Sequence, residues 1–77
     1  MWFVYFLQSI DQTFLYIGHT DNLERRLREH NEGLNRSTKH YAPFIITAYV
    51  AVRGEAKAVE LEKYFKTGSG KAVLKNE

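Results

Sequence analysis

The sequence predicts an α+β fold, in which a three-stranded, mostly antiparallel sheet is flanked by helices in the order β-β-α-β-α. Three short stretches are rich in aromatic and β-branched residues, which is typical of strands. Two other stretches repeat apolar residues at helical spacing. Because the 77 residues contain no linker, internal repeat or low-complexity segment, we expect a single domain over residues 1–77.

The first two strands are predicted to form a hairpin. Residues 2–9 form the first strand, which we expect to be buried on both faces, and residues 14–18 form the second. With an even-numbered loop between the strands, Leu7 pairs with Tyr16, and Tyr5 then lies diagonally from Tyr16 on one face of the sheet. An odd loop without a bulge would separate the two phenols.

The first helix is predicted to follow the second strand closely. Gly18 is expected to end that strand, where the backbone needs a positive φ or a close approach. Asp21 and Glu24 are predicted to cap the helix as a pair. Arg26 and His30 are four residues apart, so they share a helix face that lies beside the apolar stripe and towards the sheet.

The third strand and the second helix complete the predicted fold. Residues 44–52 form a strand that is apolar on both sides, and residues 55–66 form the helix. Glu62 lies at the edge of the buried face of this helix, whereas Glu60 faces solvent. Residues 71–74 are predicted to add a short C-terminal helix against the core.

Composition and charge narrow the classes of function. Without cysteine, the protein has no disulfide or thiolate metal site, and oxygen or imidazole must hold any metal. The apolar N-terminus lacks basic residues and is too short for a signal or a membrane span, so we expect a cytoplasmic protein without a membrane partner.

The net charge of +2 is weak evidence for a polyanionic partner, but the basic residues cluster in two segments. These segments form either one nucleic-acid-binding face or solvated helix surface. The candidate nucleic-acid-binding residues are Arg25, Arg28, Arg36, Lys39, Lys66 and Lys71.

Paired phenols beside an arginine suit phosphate chemistry. Tyr5 and Tyr16 can orient a water, accept its proton and hold a phosphate oxygen. A phenol has a pKa of about 10, so we expect a cation, Arg26 or a metal, to lower the pKa. Arg26 can also bind a phosphate through its planar fork and stabilise the charge of the transition state. The alternatives are packing tyrosines and a surface arginine.

A histidine and a carboxylate could complete such a site. His30 can bind a phosphate or give a proton to a leaving oxygen, although a structural histidine is the alternative. Glu62 can hold one divalent ion together with waters and a substrate phosphate, whereas the alternative is an ion pair with Lys66 one turn later. The sequence assigns no role to His19 or His40.

The order of these residues resembles the GIY-YIG nucleases, in particular short stand-alone bacterial members and the N-terminal nuclease domain of the excision-repair incision enzyme. The matching motifs are Val4-Tyr5, Tyr16-Ile17-Gly18-His19-Thr20, Leu23-Glu24-Arg25-Arg26-Leu27, His30-Asn31-Glu32-Gly33, Ser37-Thr38, Pro43-Phe44, Glu55-Ala56, Glu62-Lys63 and Lys66-Thr67-Gly68-Ser69-Gly70. Phe3 departs from the glycine that gives the first motif its name.

The resemblance implies a function and an active site. Tyr5, Tyr16 and Arg26 match catalytic residues of the family, His30 matches a histidine of the homing-nuclease branch, and Glu62 matches the glutamate that binds the metal. The implied reaction is endonucleolytic hydrolysis of DNA with one divalent ion, Mg²⁺ or Mn²⁺. The better-known relatives carry a second domain that selects DNA, and we expect no such domain in this protein. We therefore expect selection by a branched, damaged or single-stranded substrate or by a protein partner. The alternative is a non-catalytic nucleic-acid-binding module in DNA repair or recombination.

Overall fold

The computed structural model describes residues 1–11 and 13–67, and it has the predicted order of elements. A short 3₁₀ turn at Lys39–Tyr41 precedes the last strand. The strands and helices are β1 (Trp2–Ser9), β2 (Leu15–Thr20), α1 (Leu23–Asn31), β3 (Phe44–Val52) and α2 (Glu55–Lys66). The predicted α+β fold is therefore confirmed. The helix predicted at residues 71–74, together with Lys71, lies outside the described residues.

The sheet places β1 at its centre, in the order β2-β1-β3, and both pairs of strands are antiparallel. Val4, Tyr5, Phe6 and Leu7 are at most 4% exposed, which confirms the prediction that β1 is buried on both faces. Leu7 pairs with Tyr16, as the hairpin argument requires. Tyr5 and Tyr16 consequently share one face of the sheet.

One helix covers each face of the sheet. Leu23 and Leu27 of α1 pack on the face that carries Tyr5 and Leu7. On the opposite face, α2 packs around Val4, Phe6 and Ile17; its packing residues are Ala58, Leu61 and Phe65. None of the helices in the described ranges combines the length and apolar character that crossing a membrane requires.

Two local predictions differ from the structure. The strand β2 continues past Gly18 to Thr20, because Gly18 pairs with Tyr5 and serves a close approach rather than a positive φ. Asn22, not Asp21, caps α1: its extended backbone lets its side chain accept a hydrogen bond from the Arg25 amide. The strand β3 is apolar on both sides as predicted, but it lies at an edge of the sheet and most of its residues are exposed.

The loop after α1 is tied back to the sheet. The Asn31 side chain accepts a hydrogen bond from the Phe44 amide at 2.6 Å and donates one to the Phe44 carbonyl at 3.3 Å. This pair of bonds joins the end of α1 to the start of β3. The intervening loop is thereby held over the inner end of α1, where His30 lies.

Candidate active site

The two tyrosines meet over a glycine. The ring centroids of Tyr5 and Tyr16 are 6.2 Å apart, and the Tyr5 hydroxyl lies across β2 at Gly18. A Cβ atom on Gly18 would lie 2.6 Å from the Tyr5 hydroxyl oxygen and 2.9 Å from Cε2 of Tyr16. Gly18 therefore lacks a side chain because both phenols occupy the space that one would need.

The Tyr5 hydroxyl is the centre of a buried hydrogen-bond network. Nε of Arg26 donates to it at 3.3 Å, and Nε2 of His30 lies 3.0 Å away. The other ring nitrogen of His30, Nδ1, lies 2.8 Å from the hydroxyl of Thr38. Tyr5, His30 and Thr38 are at most 1% exposed. The structure therefore unites Tyr5, Tyr16, Arg26 and His30 on one face of the sheet.

Burial sets the protonation of this network. It raises the pKa of Tyr5 to about 12, more than the hydrogen bond and charge of Arg26 lower it. Arg26 lowers the pKa of Tyr5 as expected, but the desolvation of a phenolate is the larger effect, so the net pKa rises. Burial lowers the pKa of His30 to about 4, and the charge of Arg26 acts in the same direction. At neutral pH both groups are uncharged.

His30 lies behind Tyr5 rather than beside solvent. Its side chain is fully buried, and both ring nitrogens have partners within the protein. In this geometry it cannot bind a phosphate directly. A neutral imidazole there can instead accept a proton from the Tyr5 hydroxyl.

Arg26 reaches from the network towards solvent. Its side chain is 31% exposed, and Nη1 donates to the Glu29 carboxylate at 3.0 Å. Within the described part of the chain, Nη2 makes no hydrogen bond. The guanidinium therefore anchors Tyr5 through one nitrogen and retains a donor for a phosphate oxygen.

Glu62 lies on the other helix, α2, which packs on the opposite face of the sheet from the tyrosines. Its oxygens contact Nδ1 of His19 at 2.6 Å and Nζ of Lys66 at 2.7 Å, so the ion pair with Lys66 is present. Burial raises the pKa of Glu62, but the hydrogen bonds from Lys66 and His19 outweigh it and lower the net value. Burial is the main cause of the raised pKa of Tyr5, and the charge of Glu62 makes a smaller contribution in the same direction.

The donor set around Glu62 fits an ion with few protein ligands. Among residues 1–11 and 13–67, no three side chains of His, Asp or Glu converge on one point. Mg²⁺ is commonly held by one or two carboxylates, with waters and substrate phosphate completing the shell. A single half-buried carboxylate on α2 is consistent with that arrangement.

The predicted nucleic-acid-binding residues divide into paired and unpaired cations. Arg25 is paired with Asp21 at 2.7 Å, and Lys66 is paired with Glu62. Over the described ranges, Arg28, Arg36 and Lys39 form no ion pair. These three lie in α1 and the loop that follows it, so they form the more available group for phosphate contacts.

Two contacts of the candidate site, His19 with Glu62 and Thr38 with His30, were not predicted from the sequence. The partner of His19 lies 43 residues away, and Thr38 contacts His30 across an irregular loop. Neither contact leaves a periodic signal in the sequence, because each depends on how α2 or the loop packs. Thr38 appeared only as part of a matching motif.

Comparison with known proteins identifies a family and several relatives of the chain. A family model described as the GIY-YIG catalytic domain matches residues 1–76. A UPF0213 protein of Nitratidesulfovibrio vulgaris (strain Hildenborough) is 48% identical over 63 residues, which are 78% of this chain and 56% of that protein. A UPF0213 protein of Lactococcus lactis subsp. cremoris (strain SK11) is 42% identical over 65 residues, which are 83% of this chain and 65% of that protein. The chain thus spans less than two thirds of these relatives, and no solved structure matches it significantly.

The family match confirms the resemblance drawn from the motifs. The matched family is one of nuclease catalytic domains. Because the match extends from residue 1 to residue 76 and takes in every strand and helix described above, the chain belongs to the GIY-YIG catalytic domain family.

Proposed function

We propose that the protein is a divalent-metal-dependent endonuclease that hydrolyses DNA phosphodiester bonds. The observation that carries this proposal is the position of the Tyr5 hydroxyl between the guanidinium of Arg26 and the imidazole of His30. A buried phenol that only packs also needs a hydrogen-bond partner, but here the partners are a cation and a neutral imidazole that can accept its proton.

The buried network supports a route for the proton of the attacking water. A water between Tyr5 and Tyr16 gives its proton to the Tyr5 oxygen, and Tyr5 passes its own proton to His30. The water oxygen bonds to phosphorus, while the bond to the leaving oxygen breaks and that oxygen takes a proton from solvent. Arg26 binds a non-bridging phosphate oxygen and stabilises the charge that develops there.

Glu62 would hold the ion, Mg²⁺ or Mn²⁺. A bound divalent ion would supply positive charge to polarise the scissile phosphate and stabilise the leaving oxygen. Lys66 and His19 each contact one carboxylate oxygen, and the second lone pair of each oxygen would be the ligand for the ion.

The proposed substrate is DNA with a branched, damaged or single-stranded region, cut during repair in the bacterial cytoplasm. The cations available for phosphate contacts lie in α1 and the adjacent loop, which offers a small contact surface. A protein partner that delivers the substrate would compensate for so small a surface. The bacterial origin of the relatives supports the proposed setting.

A nuclease assay tests the proposal. Duplex, nicked, forked and single-stranded DNA are each incubated with Mg²⁺, Mn²⁺ or EDTA. Glu62→Ala should abolish metal-dependent cleavage, whereas Glu60→Ala, which changes a carboxylate that is 75% exposed on the same helix, should cut like the wild type. Undiminished cleavage by pure Glu62→Ala protein would remove Glu62 from the metal site.

A binding module is the second candidate. It is favoured by the saturation of Glu62, because His19 and Lys66 already satisfy its charge without a metal. On this account Arg28, Arg36 and Lys39 bind nucleic acid, and the tyrosines only pack in the hydrophobic core. Salt-sensitive binding of every DNA form without metal-dependent cleavage would favour this candidate.

A further inference from the structure

Thr38 is fully buried, and its hydroxyl lies beside the imidazole of His30. Thr38 lies in the loop after α1, and its Oγ1 atom contacts Nδ1 of His30 at 2.8 Å. Oγ1 also lies 3.5 Å from the backbone carbonyl of Asn35, an acceptor for its own proton. The hydroxyl is therefore the outer end of the network that begins at Arg26.

Counting donors and acceptors assigns the direction of every hydrogen bond. Arg26 can only donate, so the Tyr5 oxygen accepts from Nε. The Tyr5 proton then needs an acceptor, and Nε2 of His30 supplies it. Nδ1 consequently carries the imidazole proton and donates to Thr38, which donates to the Asn35 carbonyl. Each proton in this chain has an acceptor.

The opposite tautomer of His30 leaves one buried proton without an acceptor. With the proton on Nε2, both His30 and Arg26 would donate to the Tyr5 oxygen. The Tyr5 proton would then have no acceptor among the described residues, although its side chain is 1% exposed. Buried donors without partners are disfavoured in proteins.

The loop holds Thr38 in place by its own hydrogen bonds. The amides of Thr38 and Lys39 both donate to the Asn35 carbonyl, at 3.2 Å and 3.0 Å. The Tyr41 amide donates to the Thr38 carbonyl at 3.0 Å. A hydroxyl held in this way keeps the imidazole in one orientation and one tautomer.

We propose that Thr38 is a positioning residue that fixes the neutral tautomer of His30 with its proton on Nδ1, so that Nε2 accepts the proton of Tyr5. The catalytic consequence rests on the proposed nuclease function. The tautomer itself does not, because it follows from the protein's own hydrogen bonds.

Nitrogen-15 NMR of the His30 ring tests the tautomer without any substrate. The wild type and Thr38→Ser, which keeps the hydroxyl, should show Nδ1 protonated and Nε2 unprotonated at pH 7. In Thr38→Val each tautomer leaves one buried proton without an acceptor, so shifts averaged between the two forms are expected. A wild-type proton on Nε2, or a wild-type pattern in Thr38→Val, would overturn the proposal.

Cleavage kinetics form the second arm. We expect Thr38→Val to cut at least about tenfold more slowly than the wild type, and Thr38→Ser to restore most of the rate. Equal rates for all three proteins would refute the catalytic consequence while leaving the nuclease intact. If the wild type does not cut DNA, the nuclease proposal fails, and the NMR result still decides the tautomer. Should Thr38→Val not fold, the wild-type tautomer and the Thr38→Ser spectrum remain decisive.

Discussion

Burial moves the proton affinities of Tyr5 and His30 in opposite directions. A phenolate and an imidazolium are both charged, and the interior disfavours both, so the pKa of Tyr5 rises to about 12 and that of His30 falls to about 4. At neutral pH the pair consists of a proton donor and a free acceptor. Transfer of a proton from Tyr5 to His30 therefore runs against both shifts, and the charge of Arg26 and the proton given up by the attacking water must offset them.

The pH dependence of stability follows from His30. In the unfolded chain it takes up a proton near pH 6.5, whereas in the folded protein it does so only near pH 4. Between these values the unfolded state binds more protons, so the free energy of unfolding falls as the pH falls. We expect a loss of roughly 2 kcal/mol from this residue between pH 7 and pH 4.5.

Urea unfolding at pH 7 and pH 4.5 measures this loss. The variant His30→Gln serves as the control, because it keeps a polar group but cannot titrate. Its stability should change less over the same interval. An NMR titration of His30 in the wild type provides a direct check, and a midpoint near pH 6.5 would contradict the account. Burial, Arg26 and Glu29 act on the imidazole, and only Glu29 favours its charged form.

The strand β2 positions the site through Gly18. Its pairing with β1 places Gly18 opposite Tyr5, and the missing side chain lets the phenol lie across the strand. A side chain at this position would push the Tyr5 hydroxyl away from Arg26. Because Gly18 has no side chain, both phenols can lie over β2 at this point.

Gly18→Ala should damage both stability and cleavage. The added Cβ would lie 2.6 Å from the Tyr5 hydroxyl oxygen, so the phenol must leave its hydrogen bonds. We expect about 1–3 kcal/mol of destabilisation, typical of overpacking, by urea unfolding, with loss of cleavage in the nuclease assay. Gly54→Ala is the matched control, because a Cβ there meets nothing within 4 Å. Equal behaviour of the two variants would show that the close approach at Gly18 is unimportant.

The sequence predicted the strands and helices better than it predicted the residues at which they end or their order in the sheet. The hairpin register followed from loop parity, since Leu7 pairs with Tyr16 as expected. The cap of α1 was misassigned because Asp21 and Asn22 are adjacent and both suit a cap, and only the backbone at Asn22 decides between them. Composition shows that β3 is apolar, but strand order decides that it lies at an edge.

At the scale of the whole molecule, the fold brings together residues from both faces of the sheet. Arg26 and His30 come from α1, whereas Glu62 comes from α2 on the other side. The sequence predicted which residues belong to the candidate site because their order matches a family. It did not predict the contact between His19 and Glu62, which depends on how α2 packs near β2.

The unpaired cations predict the salt dependence of DNA binding. Each phosphate contact from Arg28, Arg36 or Lys39 releases counterions, so replacing all three by Gln should reduce the slope of log K against log salt by roughly 2–3 for duplex DNA. Fluorescence anisotropy at several salt concentrations measures this slope. Lys57→Gln is the control, because Lys57 already pairs with Glu60 at 3.8 Å. Matching slopes for the control and the triple variant would place DNA elsewhere on the surface.

The most direct test of the central claim is the cleavage rate of Tyr5→Phe, which removes only the hydroxyl between Arg26 and His30. Tyr49→Phe is its matched control, since Tyr49 pairs with Tyr5 on the adjacent strand and is 56% exposed. Single-turnover cleavage of one DNA substrate should fall by about 100-fold or more in Tyr5→Phe and stay at the wild-type rate in Tyr49→Phe. Wild-type cleavage by a folded Tyr5→Phe protein would show that this phenol only packs, and would contradict the account.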